Sequence, residues 1–191
     1  MKHIGTTTLE TERLILRRFT IEDAESMFNN WASDEEVTKF LTWPTHKSIE
    51  DSKWFINMCL DNYNDLSFYN WAIELKDTHE LIGNISIVEV LEDTNSMELG
   101  WDIGSKYWGN GYAPEAGNKI IDIMFNEVDV ECIFARHDVN NSKSGRAMQK
   151  LGMKFEGIIR HCNKNNQGIV DCARYSVLRT ERNKNLWRCF D

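Results

Sequence analysis

The segment at residues 97–127 constrains the fold of this chain more than any other part. Over residues 97–103, apolar and polar side chains alternate, which predicts a strand with one apolar face and one polar face. Gly100 lies in the middle of this strand, where a glycine often marks a bulge or a close approach to the backbone. A loop with two glycines follows, and residues 111–127 carry apolar side chains at helical spacing. The sequence therefore predicts a strand, a glycine loop and a helix in direct succession.

The loop at residues 108–113 predicts a binding site for phosphate groups. Pro114 has no N–H and a fixed φ, so it is tolerated in the first turn of a helix, which must begin near Tyr112. The N–H groups of the loop then lie at a helix N-terminus, where free donors and the helix dipole favour a pyrophosphate. The loop matches neither a P-loop nor a dinucleotide-binding pattern. By itself it is equally compatible with a tight turn. Its residues are Trp108, Gly109, Asn110, Gly111, Tyr112 and Ala113.

The rest of the chain predicts one α/β (α+β) domain over residues 1–191. Alternating or apolar runs predict further strands at residues 14–19, 69–75, 81–90, 132–135, 155–159 and 169–178. The strands at 69–75 and 81–90 are expected to pair as an antiparallel hairpin, and the polar residues 163–168 to form a hairpin loop. We expect a mixed, mostly antiparallel sheet of about seven strands, flanked by helices.

Capping signals predict where the helices begin. Thr20 and Ser33 each precede an acidic residue by three positions and predict short helices, and Ser48 predicts a longer one. Asn141 is placed to cap a helix over residues 142–151, which Gly152 ends. Residues 179–191 fit no pattern and are not placed.

Composition limits the classes of function. Hydrophobic residues make up 41% of the chain, which is enough for one sizeable core. No stretch approaches the roughly 20 apolar residues that span a bilayer, and no signal peptide is recognisable, so we expect a cytoplasmic protein without a membrane partner. The net charge of −8 disfavours nucleic acid and mildly favours a cationic acceptor, although it also simply aids solubility. Five cysteines without a C-x-x-C pair predict reduced thiols and no metal site.

Several short motifs share their order and spacing with one known family. They are residues 11–17, Trp43-Pro44, residues 98–101, residues 107–116, Asn141-x-x-Ser144, residues 150–153, Glu156-Gly157, Arg160, Asp171 and Tyr175. Together they resemble the GNAT superfamily of N-acetyltransferases, and specifically its ribosomal-protein N-terminal (RimJ/RimL-like) branch. The resemblance covers nearly the whole chain. It implies that residues 108–113 form the loop that binds acetyl-CoA, usually Gln/Arg-x-x-Gly-x-Gly/Ala. Trp108 departs from the usual polar first residue.

The resemblance also implies how the cosubstrate lies. In this family the fourth strand, here residues 97–103, splays from the fifth, and the pantetheine arm of acetyl-CoA inserts between them. Trp101, Asp102 and Ile103 are then expected along the arm, with Asn141 near its amides. A backbone N–H beside Gly100 could polarise the acetyl carbonyl. An ordinary bulge is the alternative interpretation of this glycine.

Acetyl transfer to an amine needs a base for the ammonium proton and a donor for the departing thiolate. Glu98 lies on the polar face of the strand and is the candidate base, directly or through water; its alternative is a salt-bridge partner. Many family members have a tyrosine where this chain has Met148. Ser144, one turn earlier, is therefore the candidate proton donor. Its alternative is a hydroxyl that bonds back to its own helix.

The predicted function is direct transfer of an acetyl group from acetyl-CoA to a primary amine, without a covalent enzyme intermediate. The resemblance implies a protein N-terminus as the acceptor, such as that of a ribosomal protein. A polyamine, amino sugar or aminoglycoside is the alternative within the same class. A non-catalytic acyl-CoA-binding sensor is the alternative outside it, because the usual tyrosine is replaced. The aromatic residues Trp31, Phe40 and Trp43 either shape the acceptor pocket or pack the core. A monomer or homodimer is expected.

Overall fold

The computed structural model describes residues 1–186, in which eight strands form a single sheet. The strands are β1 (Leu9–Glu10), β2 (Leu14–Arg17), β3 (Asn70–Leu75), β4 (Leu81–Leu91), β5 (Ser96–Ile103), β6 (Cys132–Asp138), β7 (Lys154–Asn165) and β8 (Gly168–Leu178). Their order is β1-β2-β3-β4-β5-β6-β8-β7. All neighbours are antiparallel except β5 and β6. The predicted mixed, mostly antiparallel sheet is confirmed. The sheet has eight strands where about seven were expected, because β1 is too short to show the periodic pattern from which a strand is predicted.

Six α-helices accompany the sheet within the same residues. They are α1 (Ala24–Met27), α2 (Glu35–Thr38), α3 (Ile49–Asn62), α4 (Tyr112–Ile123), α5 (Ser142–Lys150) and α6 (Arg179–Leu186). A π-helical turn follows α1 at Phe28–Ala32, and another follows α4 at Met124–Val128. The capping box of Ser48 and Asp51 is present at the start of α3. None of the helices within residues 1–186 has the length and apolar character needed to cross a membrane.

Two local predictions are wrong. Residues 163–168 are not a loop, because β7 continues to Asn165 and pairs with Gly168, which leaves a two-residue turn. The ladder of backbone hydrogen bonds sustains this polar stretch of strand without an apolar pattern. The cap of α2 is Asp34, whose carboxylate accepts from Glu36 N at 2.9 Å, while Ser33 Oγ donates to Phe28 O at 2.7 Å. Of the unplaced C-terminal residues, 179–186 form α6; Trp187, Cys189 and Phe190 lie outside the described residues.

Helices cover both faces of the sheet. The apolar face of β5 packs against α4 and α5, and Met97, Leu99 and Ile103 are at most 5% exposed, as the alternation predicts. On the other face, α1 and α3 enclose a second apolar cluster in which Trp31 and Ile56 are fully buried. The two layers fix β5 in the centre of the sheet, so its polar face has only limited space around it.

The parallel pair β5–β6 is joined along a short stretch only. Ser96 to Glu98 pair with Cys132 to Phe134, and beyond these residues the two strands separate. β5 continues to Ile103 against β4, and β6 continues to Asp138 against β8. The predicted splay between the fourth and fifth strands is confirmed, at what are β5 and β6 once the additional β1 is counted.

Candidate active site

Two cavities adjoin the place where β5 and β6 separate. The first, of about 650 Å³, is bordered by the loop at residues 108–113 and the first turns of α5. The second, of about 430 Å³, lies between the polar face of the central strands and the β7–β8 hairpin. The residues that line both cavities are Phe40, Leu41, Trp101, Asp102, Asn141 and Ser144. The two cavities therefore meet at the splay.

The loop at residues 108–113 has the geometry of an anion cradle. Gly109 and Gly111 have φ values of +85° and +82°, a region that glycine occupies without steric cost. Within residues 1–186, the N–H groups of Gly109, Asn110 and Gly111 donate to no other group. A Cβ built on Gly109 meets no atom within 4 Å, so the space beside the loop is open. Free donors, open space and the N-terminus of α4 together suit a phosphate group.

Arg13 ties this loop to the first turn of α4. Its Nε donates to Glu115 Oε2 at 2.7 Å, its Nη1 donates to Asn110 O at 3.1 Å, and its guanidinium carbon lies 4.6 Å from the ring centre of Tyr112. Thr11 Oγ1 donates to Glu115 Oε1 at 2.6 Å. Burial acts to raise the pKa of Glu115, but the hydrogen bonds from Thr11 and Arg13 outweigh it and lower the pKa. The residues just before β2 thus hold the loop in place through hydrogen bonds and an ion pair.

Trp108 connects the loop to both neighbouring elements. Its indole N–H donates to Ile103 O at 2.7 Å, at the end of β5. The ammonium of Lys143, in the first turn of α5, lies 3.7 Å from the centre of its ring. Trp108, which replaces the usual polar residue, therefore fixes the position of the loop relative to β5 and α5.

The first cavity carries more positive than negative charge. Its basic lining residues are Lys39, Lys143, Arg146 and Lys150, and its acidic ones are Glu36 and Asp102. The whole chain has a net charge of −8, so this local excess runs against the composition. Clustered positive charge beside free N–H donors attracts an anionic ligand.

Glu98 is held in an ion pair. It is 7% exposed, and its two carboxylate oxygens accept from Arg136 Nε at 2.8 Å and Arg136 Nη2 at 2.5 Å. The carboxylate raises the pKa of the Arg136 guanidinium. Glu98 lines the second cavity and not the first. Its role as a base remains a prediction, and the bidentate pair favours the alternative of a salt-bridge partner.

Ser144 lies at the junction of the cavities. Asn141 Oδ1 accepts from Ser144 N at 3.3 Å, which confirms that Asn141 caps α5. Within the described part of the chain, the Ser144 hydroxyl makes no hydrogen bond, so it is not used to bond back to its helix. Met148 follows on the same side of α5 and is 1% exposed. The proton-donor role of Ser144 remains a prediction.

The bulge near Gly100 belongs to the neighbouring strand. The register between β4 and β5 shifts between Ile87 and Glu89, so Val88 is the extra residue. A Cβ built on Gly100 lies 2.9 Å from Val88 Cγ1. Gly100 therefore leaves room for the bulged side chain and also lines the second cavity.

The predicted cosubstrate residues lie around the first cavity with one exception. Trp101, Asp102, Ile103, Trp108, Gly109, Gly111, Tyr112, Ala113 and Asn141 line it. Asn110 does not; its side chain turns back to donate to Tyr107 O at 3.0 Å. The binding roles of all ten residues remain predictions. Three or more His, Cys, Asp or Glu side chains do not gather into a metal site anywhere in residues 1–186.

The β7–β8 hairpin closes one side of the second cavity. Asn166 Nδ2 donates to Thr38 O and to Trp43 O, each at 2.8 Å, and Asn166 N donates to Leu41 O at 3.2 Å. Of the predicted aromatic residues, Phe40 and Trp43 line this cavity and Trp31 belongs to the core. The hairpin and the segment after α2 together form the roof of the cavity, which we call the Asn166 roof (residues 38–43 and 165–167).

Asp102 occupies the junction beneath this roof. It is partly buried, and its carboxyl contacts the side chain of Asn84 on β4. Burial raises the pKa of Asp102 to about 7, while the nearby indole N–H of Trp31 acts to lower it. The family resemblance implies only a place along the cosubstrate arm for this residue. The raised pKa could not be predicted, because it depends on neighbours that are distant along the chain.

A splayed sheet with an anion cradle beside a second cavity is the arrangement expected of a transferase that uses a phosphate-bearing donor. Residues 13–154 match the family model described as an acetyltransferase (GNAT) domain, and the chain belongs to this family. GNAT acetyltransferases use acetyl-CoA, and this chain is accordingly an acetyl-CoA-dependent acetyltransferase.

Relatives and solved structures agree with this assignment. The uncharacterized N-acetyltransferase YoaA of Bacillus subtilis (strain 168) is 33% identical over 171 residues, which cover 90% of this chain and 96% of YoaA. The ribosomal protein uS5-alanine N-acetyltransferase of Escherichia coli (strain K12) is 25% identical over 78% of this chain and 79% of its own. A GNAT-family acetyltransferase structure from Bacillus anthracis superposes with a TM-score of 0.80 at 28% identity, covering 92% of this chain and 100% of that one.

Proposed function

We propose that this acetyltransferase passes the acetyl group directly to a primary amine bound in the second cavity. The observation that carries the proposal is the meeting of the two cavities at Asp102 and Ser144. A donor held by the loop at residues 108–113 can thereby reach an acceptor under the Asn166 roof. The free N–H groups and the basic lining residues suit the phosphates of acetyl-CoA.

The chain supplies three kinds of group to this reaction. The loop N–H groups and Lys143 hold the phosphates, and Trp101, Ile103 and Asn141 orient the arm of the donor. A backbone N–H beside Gly100 donates to the carbonyl oxygen as it gains charge in the tetrahedral intermediate. The amine nitrogen forms a bond to the carbonyl carbon, the carbon–sulfur bond breaks, and the Ser144 hydroxyl gives its proton to the thiolate. Ser144 then recovers a proton from the new amide nitrogen, so no covalent enzyme intermediate forms.

A protein N-terminus is the first candidate acceptor. The relative that acts on the alanine of ribosomal protein uS5 supports this candidate, at 25% identity. An α-amine is a primary amine, and the aromatic and amide side chains that line the second cavity can contact a short peptide segment.

A small amine is the second candidate, and the Asn166 roof supports it. Three hydrogen bonds join the hairpin tip to the segment at residues 38–43. A peptide continues beyond its first residues, so the roof restricts the directions in which it can leave the cavity. A compact amine has no such continuation. A cavity of about 430 Å³ also accommodates a small molecule.

The release of thiol from acetyl-CoA tests the proposal. The acceptors are peptides with N-terminal alanine or serine, spermidine, kanamycin and phenethylamine, each at the same concentration. Release with a peptide alone identifies an N-terminus, and release with a small amine alone identifies the second candidate. Tight binding of acetyl-CoA without release from any acceptor contradicts the proposal and supports the acyl-CoA sensor.

Ser144→Ala is expected to lower kcat by about 10- to 100-fold, because the thiolate then leaves without a nearby proton donor. Its Kd for acetyl-CoA, measured by calorimetry, should stay within about twofold of the parent value. Ser144→Thr keeps a hydroxyl at the same position and is the matched control, with kcat closer to that of the parent chain. An unchanged kcat in Ser144→Ala would remove this residue from the mechanism without affecting the family assignment.

A further inference from the structure

Three carboxylates line the second cavity, and two of them are already occupied. Glu98 is held by the Arg136 guanidinium. Asp138 accepts from Asn140 N through Oδ1 and from Asn165 Nδ2 through Oδ2, each at 2.9 Å. The third, Asp102, has no ion pair within residues 1–186. Of the three, Asp102 alone also lines the first cavity, so it lies between the donor and the acceptor.

A pair of buried amides adjoins Asp102. Asn84 and Asn70 are 5% and 7% exposed. In one arrangement Asn84 Nδ2 donates to Asn70 Oδ1 at 2.7 Å, and Asn84 Oδ1 faces the Asp102 carboxyl. Two oxygens in contact require a proton between them, so this arrangement fits Asp102 in its neutral, proton-carrying form.

The opposite arrangement fits ionised Asp102. When the Asn84 amide is rotated by half a turn, its Nδ2 donates to both carboxylate oxygens of Asp102, at 3.1 Å for Oδ2. Asn84 Oδ1 then lies 2.7 Å from Asn70 Oδ1, so Asn70 must rotate as well for its amide N–H to donate to it. An amide side chain is nearly isosteric about this rotation, so both arrangements occupy the same space. The pair can therefore satisfy Asp102 with and without its proton.

We propose that Asp102 is the group that takes the proton from the acceptor ammonium, and that Asn84 and Asn70 rotate to match its two protonation states. This inference rests on the proposed acetyl transfer to an amine. It makes Asp102 a catalytic residue and makes Asn84 and Asn70 positioning residues. Glu98 then keeps its place as the partner of Arg136.

The acceptor nitrogen loses two protons during the reaction. The ammonium gives one proton to the Asp102 carboxylate, and the freed lone pair forms the nitrogen–carbon bond. The carbon–sulfur bond breaks, and the second nitrogen proton reaches the thiolate through Ser144. After the products leave, Asp102 returns its proton to water, and the amide pair rotates back.

Few charged groups face Asp102. From α3, Cys59 lies close enough for the Asp102 charge to act on its thiol; mainly through burial, the pKa of Cys59 is raised to about 12, so the thiol stays neutral. Trp31 contributes an uncharged indole. The other charged or titratable side chains include Glu98, Arg136, His137 and Asp138 in the second cavity. The first cavity adds Glu36, Lys39, Lys143, Arg146 and Lys150. Protonation of Asp102 is therefore governed mainly by its own burial, against which the Trp31 indole N–H acts.

Carbon-13 NMR tests, without any acceptor, whether the Asp102 carboxyl holds a proton near neutral pH. In protein labelled at the aspartate carboxyl carbon, one signal should titrate near pH 7 and be missing from Asp102→Asn. Asn84→Ala should change the pH of that titration, because the carboxyl loses the amide that contacts it. Absence of a carboxyl signal that titrates near neutrality would overturn the proposal, whatever the enzyme acetylates.

The dependence of kcat/KM on pH tests the catalytic part. The acceptor is one from the panel whose amine titrates near pH 10. For the parent chain, kcat/KM should then rise with pH around pH 7, and this rise is the limb that the variants test. Asp102→Asn should lose that limb and at least about 100-fold in kcat/KM. Glu98→Gln should keep the limb, even where its rate falls. Asp77→Asn, on an exposed turn, is the control for removal of one charge.

The outcomes separate the two proposals. A limb that disappears in Glu98→Gln and persists in Asp102→Asn would assign the base to Glu98 and overturn this inference. If no acceptor in the panel is acetylated, the proposed function fails and the base role fails with it, while the NMR titration still reports whether Asp102 holds a proton.

Discussion

Gly111→Val is expected to lower the affinity for acetyl-CoA by at least about 100-fold, which corresponds to roughly 2.7 kcal/mol. Gly111 has a φ of +82° and is the residue that caps α4. A β-branched residue is strained in this region by about 1–3 kcal/mol, and the backbone relieves the strain by turning. The N–H groups of the loop then no longer converge on one point. Calorimetric titration with CoA measures the loss.

Two further variants separate lost binding from lost stability. Gly152 has a φ of +75° at the end of α5, with open space beside it, so Gly152→Val carries a similar strain away from the loop. It should keep its affinity for CoA. Gly111→Asn should lose less affinity than the valine variant, since asparagine tolerates this backbone region better. Normal CoA binding by folded Gly111→Val would contradict the phosphate cradle itself.

Asp102→Asn is expected to stabilise the folded chain at neutral and alkaline pH. Burial raises the pKa of Asp102 from 3.8 to about 7, so ionising it costs folding free energy. Each pKa unit corresponds to about 1.4 kcal/mol, and the expected gain above pH 7 is therefore on the order of 2–4 kcal/mol. An asparagine avoids this cost and can still bond to the Asn84 amide. Urea denaturation of both chains at several pH values measures the difference.

The sign of this effect follows from proton linkage. Below about pH 4 the carboxyl is protonated in both the folded and unfolded chain, so the substitution changes stability little. As the pH rises from 4 to 7, the unfolded chain loses the proton and the folded chain retains it, so the parent chain loses stability relative to Asp102→Asn. Above pH 7 the difference is constant. Asp77→Asn serves as the control, and an equal gain there, or a gain independent of pH, would contradict the buried-carboxyl explanation.

The elements that the sequence predicts well are those whose signal is local. The alternation over residues 97–103 yields β5 with its correct faces, and Pro114 locates the start of α4 at Tyr112. Strand β1 escapes prediction because two residues cannot show a period. The end of β7 escapes it because polar residues near a hairpin tip are held by pairing with β8 instead of by burial. Non-local hydrogen bonds decide both cases.

The same distinction between local and non-local signals decides which features of the site can be predicted from the sequence. The glycine loop and the Asn141 cap are visible in the sequence because each is set by backbone geometry within a few residues. The ion pair between Arg13 and Glu115 joins residues 102 positions apart, and no local sequence pattern predicts it. The ion pair of Glu98 with Arg136 and the contact of Asp102 with Asn84 likewise depend on strand register. A carboxylate's availability as a base therefore needs the folded sheet.

The Asn166 roof has a consequence for how such an enzyme could acquire a new acceptor. The groups proposed to hold the donor lie in β5, in the loop at residues 108–113 and in the first turn of α5, which are separate in sequence from the roof. The roof consists of two surface segments joined through a single side chain and its backbone. Loops tolerate substitution and insertion at little cost to folding. Substitutions in these two segments can thus change which acceptor fits without changing the loop at residues 108–113.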